Sequence, residues 1–254
     1  AKGILNAPDP DNDPEIDDAL VENFNADTMA EKKWKNKVAF QKAVGLHVAP
    51  DSPLFFWPSR LDPKQKGPQL LSDILFQIIH EYWPQQVQFA FVANGEYQSV
   101  FKAIADHHGF QNRIAVMDFN DELSRLGYAA SDFILMPSRF EPCGLPQMIG
   151  PIYGSLPIVH DTGGLHDTIT HLDCNAGTGN GFVFKVFDPP GLFWAIHQAM
   201  SFYQLPKDEK NRQITRIMRE AKATFNHANT ADAYIQIYEQ MLERPLVQWQ
   251  EEDE

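Results

Sequence analysis

The sequence predicts an α/β fold built on a doubly wound parallel sheet. Short, wholly apolar runs alternate with longer amphipathic ones through residues 54–186, joined by turn-rich loops. Runs such as Leu54-Phe55-Phe56-Trp57 have no polar face, as expected of strands covered by helices on both sides. Strands and helices alternating at this spacing imply crossover connections and a parallel sheet. Ligands in such sheets bind at the carboxyl ends of the strands, so chemistry is expected in the loops that follow them.

The elements can be justified in order. Residues 6–18 form an acidic, turn-rich stretch with Pro8, Pro10 and Pro14, and read as loop. Residues 27–44 read as a helix, with Asp27 as its cap, Glu31 in its first turns and Gly45 as its stop. Its apolar face is expected to hold Trp34, Val38 and Ala39. Strands are expected at 54–57, 87–93, 113–117, 133–136, 157–160 and 181–186. Between them, helices are expected at 70–82, 99–108, 123–130 and 146–153, with another starting over 165–170. Three more follow Pro190, at 192–203, 208–223 and 230–242. This divides the chain into a linker and helix arm at 1–48, a sheet domain with carboxyl-terminal helices at 49–242, and an acidic tail at 243–254. The tail's end, from Trp249, is expected to stay disordered.

Composition excludes several function classes. The net charge of −13 makes the chain a poor partner for nucleic acid or an anionic membrane. A phosphate ligand would need a few placed cations and backbone N–H groups. No apolar run reaches the roughly 18 residues of a membrane span. The start, Ala1-Lys2-Gly3-Ile4-Leu5-Asn6, is not a signal peptide and reads as a cut into a longer protein. Cys143 and Cys174 make no disulfide framework and have no metal-site spacing, so no metal is expected, and the count fits a reducing cytoplasm.

Three loops carry the candidate chemistry. After the 133–136 strand come Pro137-Ser138-Arg139-Phe140-Glu141-Pro142-Cys143-Gly144-Leu145-Pro146-Gln147. A carboxylate here precedes a glycine and a helix start, whose open N–H groups suit a phosphate or a sugar hydroxyl. Glu141 can accept from a sugar or steady developing positive charge; as a plain helix-start acid it is worth at most about 1 kcal/mol. After the 157–160 strand come Asp161-Thr162-Gly163-Gly164-Leu165-His166-Asp167-Thr168, where two glycines let the backbone approach a ligand closely. After Trp57, a third loop gathers Arg60, Lys64 and Lys66 before Gly67. Arg60, directly after a strand, is well placed for a diphosphate. Lys64 reads by default as a solvated surface cation. The nine histidines show no metal-ligand pairing, and Ser59 and Ser138 lack the flanks of a nucleophile elbow.

At these loops the sequence resembles the glycogen synthase and starch synthase family. Ser138-Arg139-Phe140-Glu141-Pro142-Cys143-Gly144-Leu145 matches that family's eight-residue motif. Tyr153-Gly154-Ser155-Leu156-Pro157-Ile158-Val159 and Thr162-Gly163-Gly164-Leu165-His166-Asp167-Thr168 follow at the family's spacing. Ser59-Arg60-Leu61 and Lys66-Gly67 resemble its cationic loop, and the likeness runs from about residue 3 to about residue 240. The resemblance implies the carboxyl-terminal half of a GT-B fold, a Rossmann-like domain that binds ADP-glucose or UDP-glucose. It further implies retaining transfer of glucose to the non-reducing end of an α-1,4-glucan, without a metal or other cofactor, in the cytoplasm or in the plastid of a plant. By the same resemblance Glu141 contacts the donor sugar, while Arg60 and Lys66 hold the diphosphate. Gly144, Leu145, Thr162, Gly163, Gly164 and Leu165 line the sugar and phosphate, and Phe119 stands near the base.

The departures from that pattern are specific. The gap from Arg60 to Lys66 is one residue wider than the family's, which leaves Lys64 as an alternative phosphate ligand. Pro146 stands where Thr is common and removes one N–H donor. The family's amino-terminal domain, which carries acceptor binding and half of the cleft, is absent, so the chain is expected to be inactive alone. Another retaining GT-B transferase would carry a second Glu where Ile149 stands. A non-catalytic nucleotide-sugar or glucan module remains the reading from a different class.

Overall fold

The computed structural model describes residues 3–246. Its six strands are β1 (Leu54–Trp57), β2 (Gln88–Val92), β3 (Ile114–Met117), β4 (Phe133–Met136), β5 (Leu156–His160) and β6 (Phe182–Phe184). They form one sheet in the order β3-β2-β1-β4-β5-β6, with every pairing parallel. The helices are α1 (Met29–Val44), α2 (Pro68–Glu81), α3 (Gln98–His108), α4 (Asp121–Ala130), α5 (Pro146–Ile152), α6 (Gly163–Thr168), α7 (Pro189–Tyr203), α8 (Lys207–Thr224) and α9 (His227–Leu242). Each strand and helix read from the sequence is present. Boundaries move where a cap or proline sets them: Pro68 opens α2, Asn120 caps α4 through the Leu123 N–H, and Asp188 caps α7 through the Gly191 N–H.

Strand alternation divides the core into two layers. Phe55 and Trp57 of β1, Phe89 and Phe91 of β2, and Phe133 and Leu135 of β4 face the layer of α2, α3 and α7. Leu54, Phe56, Ala90, Val92, Ile134 and Met136 face the opposite layer, with α1, α4 and α5. Phe55 stacks between Phe89 and Phe133, with ring centroids 5.0 Å away on each side. Across the sheet, a Cβ on Gly127 of α4 would come within 2.7 Å of the Phe56 ring, so this helix position has to be glycine. Among the described residues no helix is long and apolar enough to cross a membrane.

Helix α1 corrects the sequence reading. Its N-cap residue is Thr28, with no side-chain capping bond, whereas Asp27 is ion-paired with Arg219 of α8. Of the expected apolar face, Ala39 packs partly buried against the core and Val38 is partly buried, but Trp34 is 48% exposed. The buried residues are Met29, Lys33, Asn36, Lys37, Phe40, Gln41 and Val44. The helix is held by polar groups, and each has a partner. The Lys33 ammonium donates to the carbonyls of Tyr128 (3.3 Å), Ala129 (2.8 Å) and Tyr153 (2.8 Å), at the carboxyl ends of α4 and α5. Lys37 donates to Ser52 O at 3.0 Å and to Asp132 at 2.6 Å. Gln41 donates to Gln88 Oε1 at 2.8 Å, and Asn36 accepts the Val21 and Glu22 N–H groups. Gly45 ends the helix with φ +76°, as read. The disorder expected from Trp249 falls outside the described residues.

Desolvation lowers the pKa of Lys33 to about 7. Its amine nonetheless satisfies three carbonyls that would otherwise have no partner there. Replacing it by Met is therefore expected to cost about 1–3 kcal/mol, from acceptors left buried and unsatisfied. Urea unfolding of Lys33→Met measures this, and an unchanged midpoint would refute the role.

Candidate functional site

The strand order reverses between β1 and β4, the switch point beside which such sheets bind ligands. The first loop beside it, residues 58–67, is pinned by Leu61, fully buried, whose N–H donates to Asn94 O at 2.9 Å. Asp62 folds the rest: its carboxylate accepts the Lys64 N–H and its carbonyl the Lys66 N–H, both at 2.8 Å. The result points Arg60 and Lys64 to solvent and turns Lys66 inward. Gly67 closes the loop with φ +72°, and a Cβ there would lie 2.2 Å from Pro137 O. The loop after β1 is thus pressed on the loop after β4, and the Arg139 N–H donates to Gln65 O at 2.8 Å.

Glu141 lies at the centre of the second loop and is only 6% exposed. The Lys66 ammonium forms an ion pair with its Oε2, and Ser138 Oγ donates to the same oxygen at 3.3 Å. Ser138 is itself buried, and its carbonyl lies 2.8 Å from His160 Nδ1. Beyond Glu141 the turn is held from below: Gln147 Nε2 donates to Cys143 O at 2.9 Å and to Gly144 O at 3.0 Å. Pro146 occupies the first turn of α5, where an N–H would have no intrahelical partner in any case.

The third loop meets the second backbone to backbone. The Gly164 N–H donates to Glu141 O at 2.8 Å. A Cβ on Gly163 would fall 2.2 Å from Glu141 O, and one on Gly164 would fall 2.0 Å from Cys143 O. The glycine pair therefore serves close contact between loops. Thr162 stands at the N-cap of α6 without a side-chain capping bond. His166 Nδ1 lies 2.6 Å from Asp161 Oδ1, and that hydrogen bond and charge hold the imidazole pKa above its ordinary 6.5.

A cavity of 510 Å³ opens at the carboxyl ends of β1 and β2. Arg60, Lys66, Gln65, Asn94 and Phe119 are among its lining residues. Phe119 is 56% exposed, and its N–H donates to Asn94 Oδ1 at 3.0 Å. Of the residues expected from the sequence, Arg60, Lys66 and Phe119 thus share one cavity, and Glu141 joins it through Lys66. Gly144, Leu145, Thr162, Gly163, Gly164 and Leu165 are not among the cavity's lining residues, and Gly164 and Leu165 are buried; Lys64 lies exposed and does not line the cavity either. Sequence reasoning passed over Ser138, Asn94, Gln65 and Gln147. Asn94-Gly95 at a strand end was a usable signal, because a Cβ on Gly95 would lie 2.6 Å from Leu61 O. Among the described residues no three His, Cys, Asp or Glu gather closely enough to hold a metal ion.

The family model for glycosyl transferases group 1 matches residues 52–201, which spans all three loops. The chain belongs to that family. It is 36% identical over 247 residues to a glycogen synthase of Thermosipho melanesiensis, covering 96% of this chain and 49% of that protein. With a glycogen synthase of Bacillus licheniformis it shares 40% identity over 225 residues, covering 85% of this chain and 44% of that one. Among solved structures it is similar to the catalytic domain of starch synthase IV from Arabidopsis thaliana, bound to ADP and acarbose. That match has a TM-score of 0.83 at 30% identity and covers 95% of this chain and 49% of the other. The sheet is thus the Rossmann-like half of a GT-B fold. The chain spans about half the length of the curated relatives it matches.

Two measurements test this geometry. Gly164→Ala is expected to cost about 1–3 kcal/mol, the usual range for overpacking, in urea unfolding; an unchanged midpoint would show that the loops are not in contact. His166 is expected to titrate by NMR above 6.5, and Asp161→Asn to bring it back toward that value. The pair's contribution to stability is complete below the unfolded pKa and is lost as pH rises through the raised folded one.

Proposed function

We propose that this chain is the donor-binding half of a glycogen- or starch-synthase-type glucosyltransferase. It binds ADP-glucose or UDP-glucose for retaining transfer of glucose to the non-reducing end of an α-1,4-glucan. The observation that carries this reading is the pairing of Lys66 with Glu141 beside a cavity that Arg60 and Phe119 also line. Arg60 has no ion-pair partner among the described residues, and its guanidinium fork suits a diphosphate. Phe119 offers an exposed ring to the base. Lys66, between the cavity and Glu141, takes the phosphate next to the sugar, and Glu141 lies on the sugar side. Gly144, Leu145 and the stretch Thr162, Gly163, Gly164 and Leu165 line the sugar and phosphate with backbone groups.

The chemistry follows from charge. As the glycosidic bond breaks, negative charge grows on the departing diphosphate and positive charge on the sugar. Arg60 and Lys66 meet the first, and Glu141 steadies the second. Preorganised groups of this kind contribute about 2.7–4 kcal/mol each. ADP is the favoured nucleotide, supported by the ADP in the starch synthase IV relative. The acceptor glucan binds to the other half of the longer relatives' architecture, so this chain alone binds donor and does not elongate glucan. Both cysteines are free, which suits a reducing compartment, the cytoplasm or a plastid.

Calorimetric titration tests the reading. ADP is expected to bind more tightly than UDP, and Arg60→Ala to weaken ADP about tenfold, or 1.4 kcal/mol. Glu141→Gln is expected to weaken ADP-glucose while sparing ADP. Arg60 is the cleaner probe, because removing Lys66 leaves a buried carboxylate unpaired. Equal affinity of Arg60→Ala and the parent chain for ADP would sink the assignment.

A further inference from the structure

Asn94 joins three loops at the candidate site. Its carbonyl accepts the Leu61 N–H of the loop after β1, and its side-chain Oδ1 accepts the Phe119 N–H of the loop after β3 at 3.0 Å. The next residue, Gly95, has φ +147°, and a Cβ there would lie 2.6 Å from Leu61 O. The turn after β2 is therefore fixed against the loop after β1, and the Asn94 side chain is fixed against the loop after β3.

These bonds decide what Asn94 offers a ligand. A backbone N–H can only donate, so the atom that Phe119 meets is the carboxamide oxygen and not its nitrogen. The nitrogen, Nδ2, then carries two N–H groups that have no partner among the described residues. Asn94 lines the 510 Å³ cavity. It presents a donor already held in place, and little rotamer freedom is lost when a ligand takes it. The other polar side chains that line the cavity, Ser59, Arg60, Gln65 and Lys66, all come from the loop after β1. Asp118, the acidic residue beside Phe119, does not line it and already accepts from Gln98 Nε2 at 2.9 Å.

The order of the strands says which part of a nucleotide Asn94 meets. Along the carboxyl edge, the sheet order β3-β2-β1-β4 sets out Phe119, Asn94, the loop of Arg60 and Lys66, and Glu141 in that sequence. Neighbouring strands are about 4.8 Å apart, so each group faces its own stretch of a ligand laid along the edge. On the donor reading, Phe119 takes the base, and Arg60 and Lys66 take the diphosphate. The part of a nucleoside diphosphate between those two is the ribose, and Asn94 stands between the residues that take them. Either ribose hydroxyl has oxygen lone pairs that can accept from Nδ2.

We propose that Asn94 is the ribose-reading residue of this site: Nδ2 donates to a ribose hydroxyl, and the protein selects ribonucleotides over their deoxy analogues. The inference rests on the donor reading and adds a specificity residue that the reading does not use. The test is calorimetric titration of the parent chain and of Asn94→Ala with ADP, 2′-deoxy-ADP and 3′-deoxy-ADP. The parent is expected to bind one of the deoxy analogues about tenfold more weakly than ADP. In Asn94→Ala that difference is expected to vanish, while Phe119→Ala is expected to weaken all three nucleotides alike and keep it. If Asn94 only held Phe119 in place, its removal would lower all three affinities equally and leave the parent's ratio standing. Asn94→Ser repeats the comparison if the melting temperature of Asn94→Ala shows that the variant is unfolded. Equal affinity of the parent for the three nucleotides, or a ratio that survives in Asn94→Ala, overturns the inference and leaves the donor reading intact. ADP that binds Arg60→Ala as tightly as the parent overturns the donor reading, and this inference with it.

Discussion

A carboxylate removed from water must find a counter-charge, and in this molecule that need organises the candidate site. Glu141 is 6% exposed, and its partner Lys66 comes from a different loop, on a different strand. Holding the two together requires the loops after β1 and β4 to touch, which the Gly67–Pro137 approach and the Arg139–Gln65 hydrogen bond allow. The main chain of Glu141 in turn accepts the Gly164 N–H, which draws in the loop after β5. One ion pair and one backbone hydrogen bond therefore gather three loops around a single residue. Breaking a buried pair of this kind by removing one partner costs more than the pair contributes to stability. The arrangement specifies a geometry more than it adds free energy.

The back of the sheet is organised by the same rule with different groups. Helix α1 docks through Lys33, Asn36, Lys37 and Gln41, each with a partner within the protein. Buried polar groups are tolerated when satisfied, and they fix register more strictly than apolar contact does. Lys33 bridges the carboxyl ends of α4 and α5, where carbonyls lack intrahelical partners and helix dipoles favour a cation. The segment before β1 is thus tied to helices that flank the strands of the candidate site, and Tyr153 and Arg125 both reach Asp17 in the loop that precedes it.

The sheet was legible in the sequence because both of its faces are covered. Buried parallel strands must be apolar throughout, so Leu54–Trp57 and Phe133–Met136 stand out from any neighbour. Helix stops such as Gly45 were legible because only glycine takes a left-handed conformation there at little cost. The motif loops were legible as well, since Glu141, Arg60 and the Gly163-Gly164 pair stand directly after strands. The docking face of α1 was not. Apolar periodicity assumes that what is buried is apolar, and here lysine, asparagine and glutamine are buried while Trp34 is left outside.

The sequence by itself determined the order and type of the elements, the family, and which loops carry charge and glycine. These are local properties: periodicity, caps and short motifs whose meaning lies within a few residues. Only the tertiary structure decided that Lys66 and not Lys64 meets Glu141, and that Ser138 and Asn94 support the site. Those facts depend on residues far apart in the chain being brought within a few ångströms. The packing of whole elements sets such distances, and no local pattern encodes them.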